Sequence, residues 1–112
     1  MAYTDINIQM TASATITAGD VLEVSGDGTV APAAANSEKV LGVAFTDAIT
    51  GEVLSVITEG HLDLLVGTGG VTAGDLVKVG ADGIVTGGAG ANVIGVATSD
   101  GVAAKTAKVL LK

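Results

Sequence analysis

The sequence contains no cysteine, no arginine and a single proline, and its only aromatic residues are Tyr3 and Phe45. Without cysteine there is no disulfide, no thiolate nucleophile and no cysteine-ligated metal. The five basic residues are all lysines, and the net charge is −7. Proteins that bind nucleic acid or anionic membranes usually present a basic surface, so we expect neither kind of partner.

Long hydrophobic runs are also missing. No stretch approaches the roughly 18 consecutive apolar residues of a membrane-spanning helix. The first residues, Met1 to Asp5, include no basic segment followed by an apolar one, so the sequence predicts no signal peptide.

The sequence lacks the motifs that carry catalysis or cofactor binding. There is no G-x-S-x-G nucleophile elbow, no phosphate-binding glycine motif and no calcium-binding loop. The only histidine, His61, shares one face of a predicted strand with Asp63, opposite Leu62 and Leu64, as expected of a surface histidine. We therefore predict that the protein is not an enzyme and has no cofactor or metal site.

Three Asp residues directly precede a glycine, which favours turns over ligand sites, because Asp can hydrogen-bond to its own backbone there. They are Asp27, Asp82 and Asp100.

The sequence does contain a nine-residue segment that occurs twice in similar form. Residues 16–24, ITAGDVLEV, are matched by residues 71–79, VTAGDLVKV, which begin 55 positions later. Each copy has a Thr-Ala-Gly-Asp turn followed by an alternating apolar run, the pattern of a strand with one buried face. Further on, residues 40–44 correspond to 93–97, and residues 53–57 to 106–110, at a spacing of 53.

These correspondences predict an all-β protein, a small barrel or sandwich built from two internally duplicated β-units. Two units are too few for a solenoid, which favours a closed structure. At 112 residues the chain is one domain, with an N-terminal segment (1–15), a first repeat (16–66) and a second repeat (71–112). Its core of aliphatic residues is thin, which favours oligomerisation or attachment to a larger body.

Within this plan, residues 40–45 predict a strand that is buried on both faces or central. Residues 53–58 and 61–66 predict two strands separated by Glu59 and Gly60, and residues 106–111 a final strand. Residues 31–39 and 87–92 predict loops.

The N-terminal segment has two possible roles. Its apolar residues alternate with period two, so it is either an edge strand of the barrel or an arm that pairs with the sheet edge of a partner. In the second case the candidate contacts are Tyr3, Ile6, Ile8 and Met10.

Several segments resemble the small cement, or decoration, proteins of tailed-phage capsids. Residues 10–21 are similar to the opening strand and turn of that family, and residues 42–48, 51–52 and 56–60 to its mid-chain signature. The end of the chain, from 94–97 to 108–111, is similar to its C-terminal strand pair.

The resemblance implies a structural virion protein, made in the host cytoplasm, that binds the outer surface of the phage head and stabilises the expanded shell. Its implied partners are the major capsid protein and further copies of itself, with a trimer favoured. The alternatives are another virion-associated β-module, such as a head-fibre base or a tail-associated module, and a carbohydrate-binding module. The last requires exposed aromatic platforms, for which only Tyr3 and Phe45 are available.

Overall fold

The fold is all-β in the computed structural model, which describes residues 6–87 and 92–111. These residues form nine strands and no helix. The strands are β1 (Ile6–Ala12), β2 (Val21–Gly26), β3 (Thr29–Pro32), β4 (Val40–Ala44), β5 (Val53–Leu65), β6 (Leu76–Val79), β7 (Ile84–Thr86), β8 (Gly95–Ala97) and β9 (Thr106–Leu111).

The chain divides into two compact units. Unit 1 comprises Met1–Ala33 and Lys39–Gly60, and unit 2 comprises Ala34–Glu38 and His61–Lys112. The division falls inside β5, whose residues up to Gly60 belong to unit 1 and whose remaining residues belong to unit 2.

Unit 1 is a closed barrel of five strands. Its strands follow the order β1-β3-β2-β4-β5, and an additional pairing of β1 with β5 closes the ring. All these pairings are antiparallel except β1 with β3, which is parallel. The predicted all-β fold is confirmed, and of the two forms expected, barrel or sandwich, unit 1 has the barrel.

The core of unit 1 consists of small and aliphatic side chains. Its fully buried members come from strands and from two turn residues, Ile16 and Ala48, and Met10 and Leu41 pack against them at partial exposure. Ile16 and Ala48 exchange two backbone hydrogen bonds, with N···O distances of 2.8 and 3.0 Å. These two hydrogen bonds join the turn before β2 to the connection between β4 and β5.

Unit 2 contains the last part of β5 and the strands β6 to β9. Their order in the sheet is β5-β9-β8-β6-β7. Val66, just after β5, makes a single parallel bridge to Ile84 at the start of β7. Val71 and Gly101 exchange two backbone hydrogen bonds of 2.9 and 3.0 Å. The buried apolar residues of this unit are Leu64, Val66, Val71, Val77, Val79, Ile84, Ile94, Ala97, Ala107, Val109 and Leu111.

Strand β5 differs from the prediction. A break was expected at Glu59 and Gly60, but the strand continues through both residues for 13 residues. The expectation treated Gly60 as a strand breaker. A glycine inside a strand only weakens it or lets it bend, and here Gly60 is buried and lies within the strand.

The other predicted segments fit the structure to different degrees. Strand β9 matches the predicted final strand, and the loop predicted for 31–39 is shorter, because β3 extends to Pro32. Of the second predicted loop, 87–92, residues 88–91 lie outside the described part of the chain.

Two glycines allow neighbouring strands to approach closely. A Cβ atom on Gly42 in β4 would overlap the backbone carbonyl oxygen of Ile57 in β5. A Cβ atom on Gly95 in β8 would overlap that of Leu110 in β9 in the same way. These carbonyl groups belong to paired strands and cannot move without disturbing the pairing, so both positions require glycine.

We therefore expect Gly42→Ala and Gly95→Ala each to lower the free energy of unfolding by about 1–3 kcal/mol or more, the usual cost of overpacking. Urea denaturation followed by circular dichroism measures the effect. Gly26→Ala is the matched control, because its new Cβ would lie 3.0 Å from the Thr29 hydroxyl, a side-chain group that can rotate away. If the control loses as much stability as the two test variants, close strand approach is not the cause.

Candidate interaction surface

Unit 1 exposes three large hydrophobic side chains around the connection between β4 and β5. Phe45 is 63% exposed, Ile49 61% and Val53 62%. Phe45 directly follows β4 and Val53 begins β5, so the exposed residues lie at the strand ends and in the turn between them. Single exposed apolar residues are common, but three on one short connection form a candidate contact surface.

The turn itself is held by hydrogen bonds. Glu52 accepts a bond from the backbone N–H of Ile49 through its carboxylate (2.9 Å) and donates its own N–H to the Ile49 carbonyl (3.0 Å). Asp47 accepts a bond from the Ala18 N–H at 2.7 Å. The two carboxylates are therefore fixed in place, with negative charge beside the exposed Ile49.

An open groove of about 270 Å³ lies beside this turn. Its polar lining includes Thr15, Thr17, Asp47 and Glu52. Both carboxylates already accept backbone N–H groups, and neither is paired with a histidine or a lysine in the lining.

The four N-terminal candidate residues differ in their surroundings. Tyr3 lies outside the described residues, and Ile6 is paired with Glu59 of β5. Ile8 is 41% exposed, whereas Met10 packs against the core of unit 1. The structure thus brings Ile8 to the surface and uses Met10 to anchor β1.

Strand β1 has one incompletely covered edge. It pairs with β5 from Ile6 to Thr11, but its pairing with β3 is limited to Thr11 and Ala12. The Thr11 N–H points to the Gly28 carbonyl on the β3 side, so by alternation the Gln9 N–H points to the same side. Within the described strands, the first half of β1 is therefore bonded to β5 alone, which leaves an edge to which another strand can pair.

The polar residues of β5 in unit 2 are on the surface, as predicted. His61 and Asp63 are exposed, whereas Leu64 is buried. His61 Nε2 lies 2.6 Å from the Thr98 hydroxyl, and Asp63 is 3.2 Å from the Lys108 ammonium group in an exposed ion pair. An exposed pair of this kind contributes little to stability.

The part of the chain that the structure describes has neither a metal-binding cluster nor a membrane-spanning helix. In 6–87 and 92–111, no three His, Asp or Glu side chains are grouped closely enough to hold a metal ion. In the same ranges no helix has the length and hydropathy needed to cross a membrane.

The turn aspartates of unit 2 accept several hydrogen bonds. Asp82 accepts bonds from the hydroxyl (2.7 Å) and the backbone N–H (3.0 Å) of Thr68, and these bonds lower the pKa of its carboxyl group. The Thr72 N–H and then the Thr86 hydroxyl lower the pKa of Asp75 in the same way. Asp100 accepts the Ala73 N–H at 2.8 Å. Asp82 and Asp100 are thus turn residues, as the sequence predicted.

The sequence model of the phage cement protein family matches residues 2–112. The chain belongs to the phage cement protein family. Members of this family are structural proteins of the virion and associate with the capsid. A comparison with curated protein sequences gave no significant match.

The fold of this cement protein also matches a solved structure, the crystal structure of the head fiber gp8.5 N base in bacteriophage phi29. The match has a TM-score of 0.76 at 20% sequence identity, and it covers 97% of this chain and 95% of that one. At this identity the likeness is one of fold.

Sequence reasoning missed Phe45 as a surface residue of the cement protein. The run of residues 40–45 was expected to be a strand buried on both faces or placed centrally, but β4 ends at Ala44 and the ring of Phe45 is mostly exposed. A signal was available, because an aromatic residue immediately before the polar turn residues Thr46 and Asp47 is placed at a strand end.

The hydrogen-bonded aspartates predict a dependence of stability on pH. A carboxyl group whose pKa is lowered by folding stabilises the folded state above its ordinary pKa of 3.8, and this stabilisation is lost as the pH falls through the lower folded value. Asp82→Asn keeps an acceptor oxygen but removes the titration. We expect the melting temperature of this variant to fall less steeply than that of the wild type below about pH 4. If the melting temperatures of the two proteins fall equally steeply with pH in this range, Asp82 does not have this role.

Proposed function

We propose that this cement protein decorates the outer surface of the phage head, binds the major capsid protein and stabilises the shell without catalysing a reaction. The single observation that carries the proposal is the match of the cement protein family to residues 2–112. The exposed apolar residues of unit 1 support it, because they provide contact area that the isolated chain leaves in water.

The charge of the protein supports an outer location. The inner surface of a filled head faces packaged DNA, whose phosphates would repel a chain with a net charge of −7. The outer surface imposes no such repulsion. We therefore place the protein outside the shell, after synthesis in the host cytoplasm.

Many weak contacts are sufficient for this role. The capsid lattice offers the same site many times. Linked copies of a small domain bind such a lattice with a higher overall affinity than a single copy, because each bound copy raises the effective concentration of the next. A trimer, the oligomer we favour, would engage three neighbouring capsid subunits at once.

The two-repeat organisation remains our proposal, together with its boundaries at 16–66 and 71–112. Corresponding hydrogen bonds in the two units support it. Ala18 and Ala73 donate to Asp47 and Asp100, and the Gly19 and Gly74 N–H groups donate to the Ala44 and Ala97 carbonyls.

A second candidate function is the base of a head fibre. It is favoured by the fold shared with the head fiber N base of bacteriophage phi29. A fibre base also sits on the capsid, but it carries a further protein. Particle images that show a long appendage above each copy would favour this second candidate.

The first test uses the protein and empty expanded heads of its own phage. We expect the wild-type protein to co-sediment with expanded heads and to raise the temperature at which they disrupt, because bridging contacts resist subunit separation. Unexpanded heads serve as the control, and we expect weak binding to them. Absence of binding to expanded heads, or binding with no increase in disruption temperature, would refute the decoration function.

The second test addresses the N-terminal contacts. We propose that Tyr3, Ile6 and Ile8 contact the capsid, while Met10 anchors the strand. Ile8→Ser should weaken binding to expanded heads and lower the unfolding free energy less than Met10→Ala does, since Ile8 is 41% exposed whereas Met10 packs against the core of unit 1. Met10→Ala should lower the unfolding free energy by about 1–3 kcal/mol.

Removal of residues 1–5 deletes Tyr3 and leaves β1, which begins at Ile6, intact. We expect weaker capsid binding with an unchanged melting temperature. If Ile8→Ser and the shortened protein both bind as well as the wild type, the N-terminal segment is a barrel strand and no contact surface.

A further inference from the structure

Three neighbouring strands of unit 1 present a common outer surface. The register places Thr11 of β1 opposite Val53 of β5, and Gln9 opposite Ser55. On the other side of β5, the Phe45 N–H donates to the Ser55 carbonyl at 3.0 Å, so Phe45 lies beside Ser55. We call these five residues the outer face.

The outer face points away from the barrel core. Side chains alternate along a strand, and the residues next to the outer face, Met10 and Leu54, pack in the core of unit 1. Thr11, Ser55, Gln9, Phe45 and Val53 therefore all lie on the opposite side. Phe45 and Val53 are diagonal neighbours across β4 and β5, close enough for an aromatic and a branched side chain to act together.

None of the five residues of the outer face is charged. The outer side of an antiparallel sheet that faces water is usually polar, yet this face carries two apolar side chains that are each more than 60% exposed. An uncharged face with an exposed aromatic residue has the composition of the centre of a protein interface.

Unit 1, which carries the outer face, is strongly negative as a whole. Unit 1 contains seven Asp and Glu residues against one lysine, a formal charge of −6, while unit 2 has five against four, a charge of −1, and together they give −7. Asp47 and Glu52 are held by backbone N–H groups in the turn between Phe45 and Val53. The outer face thus has a fixed acidic border at one end.

This border argues against a second copy as the occupant of the outer face. A two-fold contact would bring two units of −6 together within about one Debye length, which is unfavourable at physiological salt. An occupant with a neutral or basic border would be attracted instead.

We propose that the outer face docks onto the capsid shell, with the Phe45 ring entering an apolar recess of the capsid protein and basic groups of the shell facing Asp47 and Glu52. This inference rests on the proposed decoration function and assigns its contact surface. On β1 the outer face comprises Gln9 and Thr11. Ile8 has the alternation of Met10 and lies on the other side of the strand, so the two proposed contacts are tested separately.

The test compares matched variants in the two units. Phe45→Ser and Val53→Thr alter the outer face, whereas Val102→Ser removes an equally exposed apolar side chain (66%) from unit 2. Affinity for expanded heads is measured by co-sedimentation at low occupancy, and circular dichroism checks that each variant is folded. We expect Phe45→Ser to weaken binding about tenfold or more, as for an aromatic anchor, and Val102→Ser to change it less than about twofold.

A second arm tests the acidic border. The double variant Asp47→Asn, Glu52→Gln keeps acceptor oxygens for the turn but removes both charges. We expect its binding to be weaker than that of the wild type at low salt and to depend less on salt concentration.

The results distinguish a failure of the proposed contact surface from a failure of the decoration function. If the wild type binds expanded heads and Phe45→Ser binds equally well, the outer face is not the contact surface, although the decoration function stands. If the wild type does not bind, the decoration function and this inference both fail. If Phe45→Ser instead converts an oligomer of the free protein into a monomer in analytical ultracentrifugation, the outer face joins copies of the chain and the inference is overturned.

Discussion

The close approach of β4 to β5 at Gly42 is the constraint on which the surface of unit 1 depends. A side chain at this position would overlap the carbonyl of Ile57, so β4 can pair with β5 only because residue 42 has no Cβ atom. That pairing sets Val43 opposite Ile57 and Ala44 opposite Val56. The next residue, Phe45, is thereby fixed beside Ser55 at the end of the strand.

Two consequences follow from this pairing. On the inner side, Ala44 and Val56 are buried in the barrel core, where a small and a branched side chain fill the space between strands. On the outer side, Phe45 is held over β5 with most of its ring in water. One backbone contact therefore supports both the core and the exposed surface. The surface is built on strands rather than on a mobile loop, which favours preorganised binding.

The sequence was sufficient to predict the kind of fold. Alternating apolar residues identified β2 and β9, and the Thr-Ala-Gly-Asp turns located the chain reversals before β2 and β6. These signals are local, because a period-two pattern and a turn depend on residues that are adjacent in the chain. The barrel closure was predicted only as one of two possibilities, since the pairing of β1 with both β3 and β5 joins residues far apart in sequence.

The candidate surface was harder to predict for the same reason. The exposure of Phe45 depends on β4 ending at Ala44, and its neighbours Gln9 and Ser55 come from strands that only the register brings together. Gly60 was misread because local rules treat glycine as a strand breaker, whereas β5 continues through it as one strand. The N-terminal candidates were identified as a group from alternation, yet Ile8 and Met10 differ in burial, and that difference is set by how far β1 extends past β3.

The distribution of apolar side chains also bears on how the protein is stabilised. Its core has no aromatic residue among the fully buried side chains that the structure describes, and its largest members are Ile and Leu. The single phenylalanine, which could bury more area than any of these, is placed outside instead. In a monomer this arrangement exposes apolar area to water for no gain. In the proposed docking onto the shell, the same side chain would be buried when the contact forms, and binding to the folded state would then add to its stability.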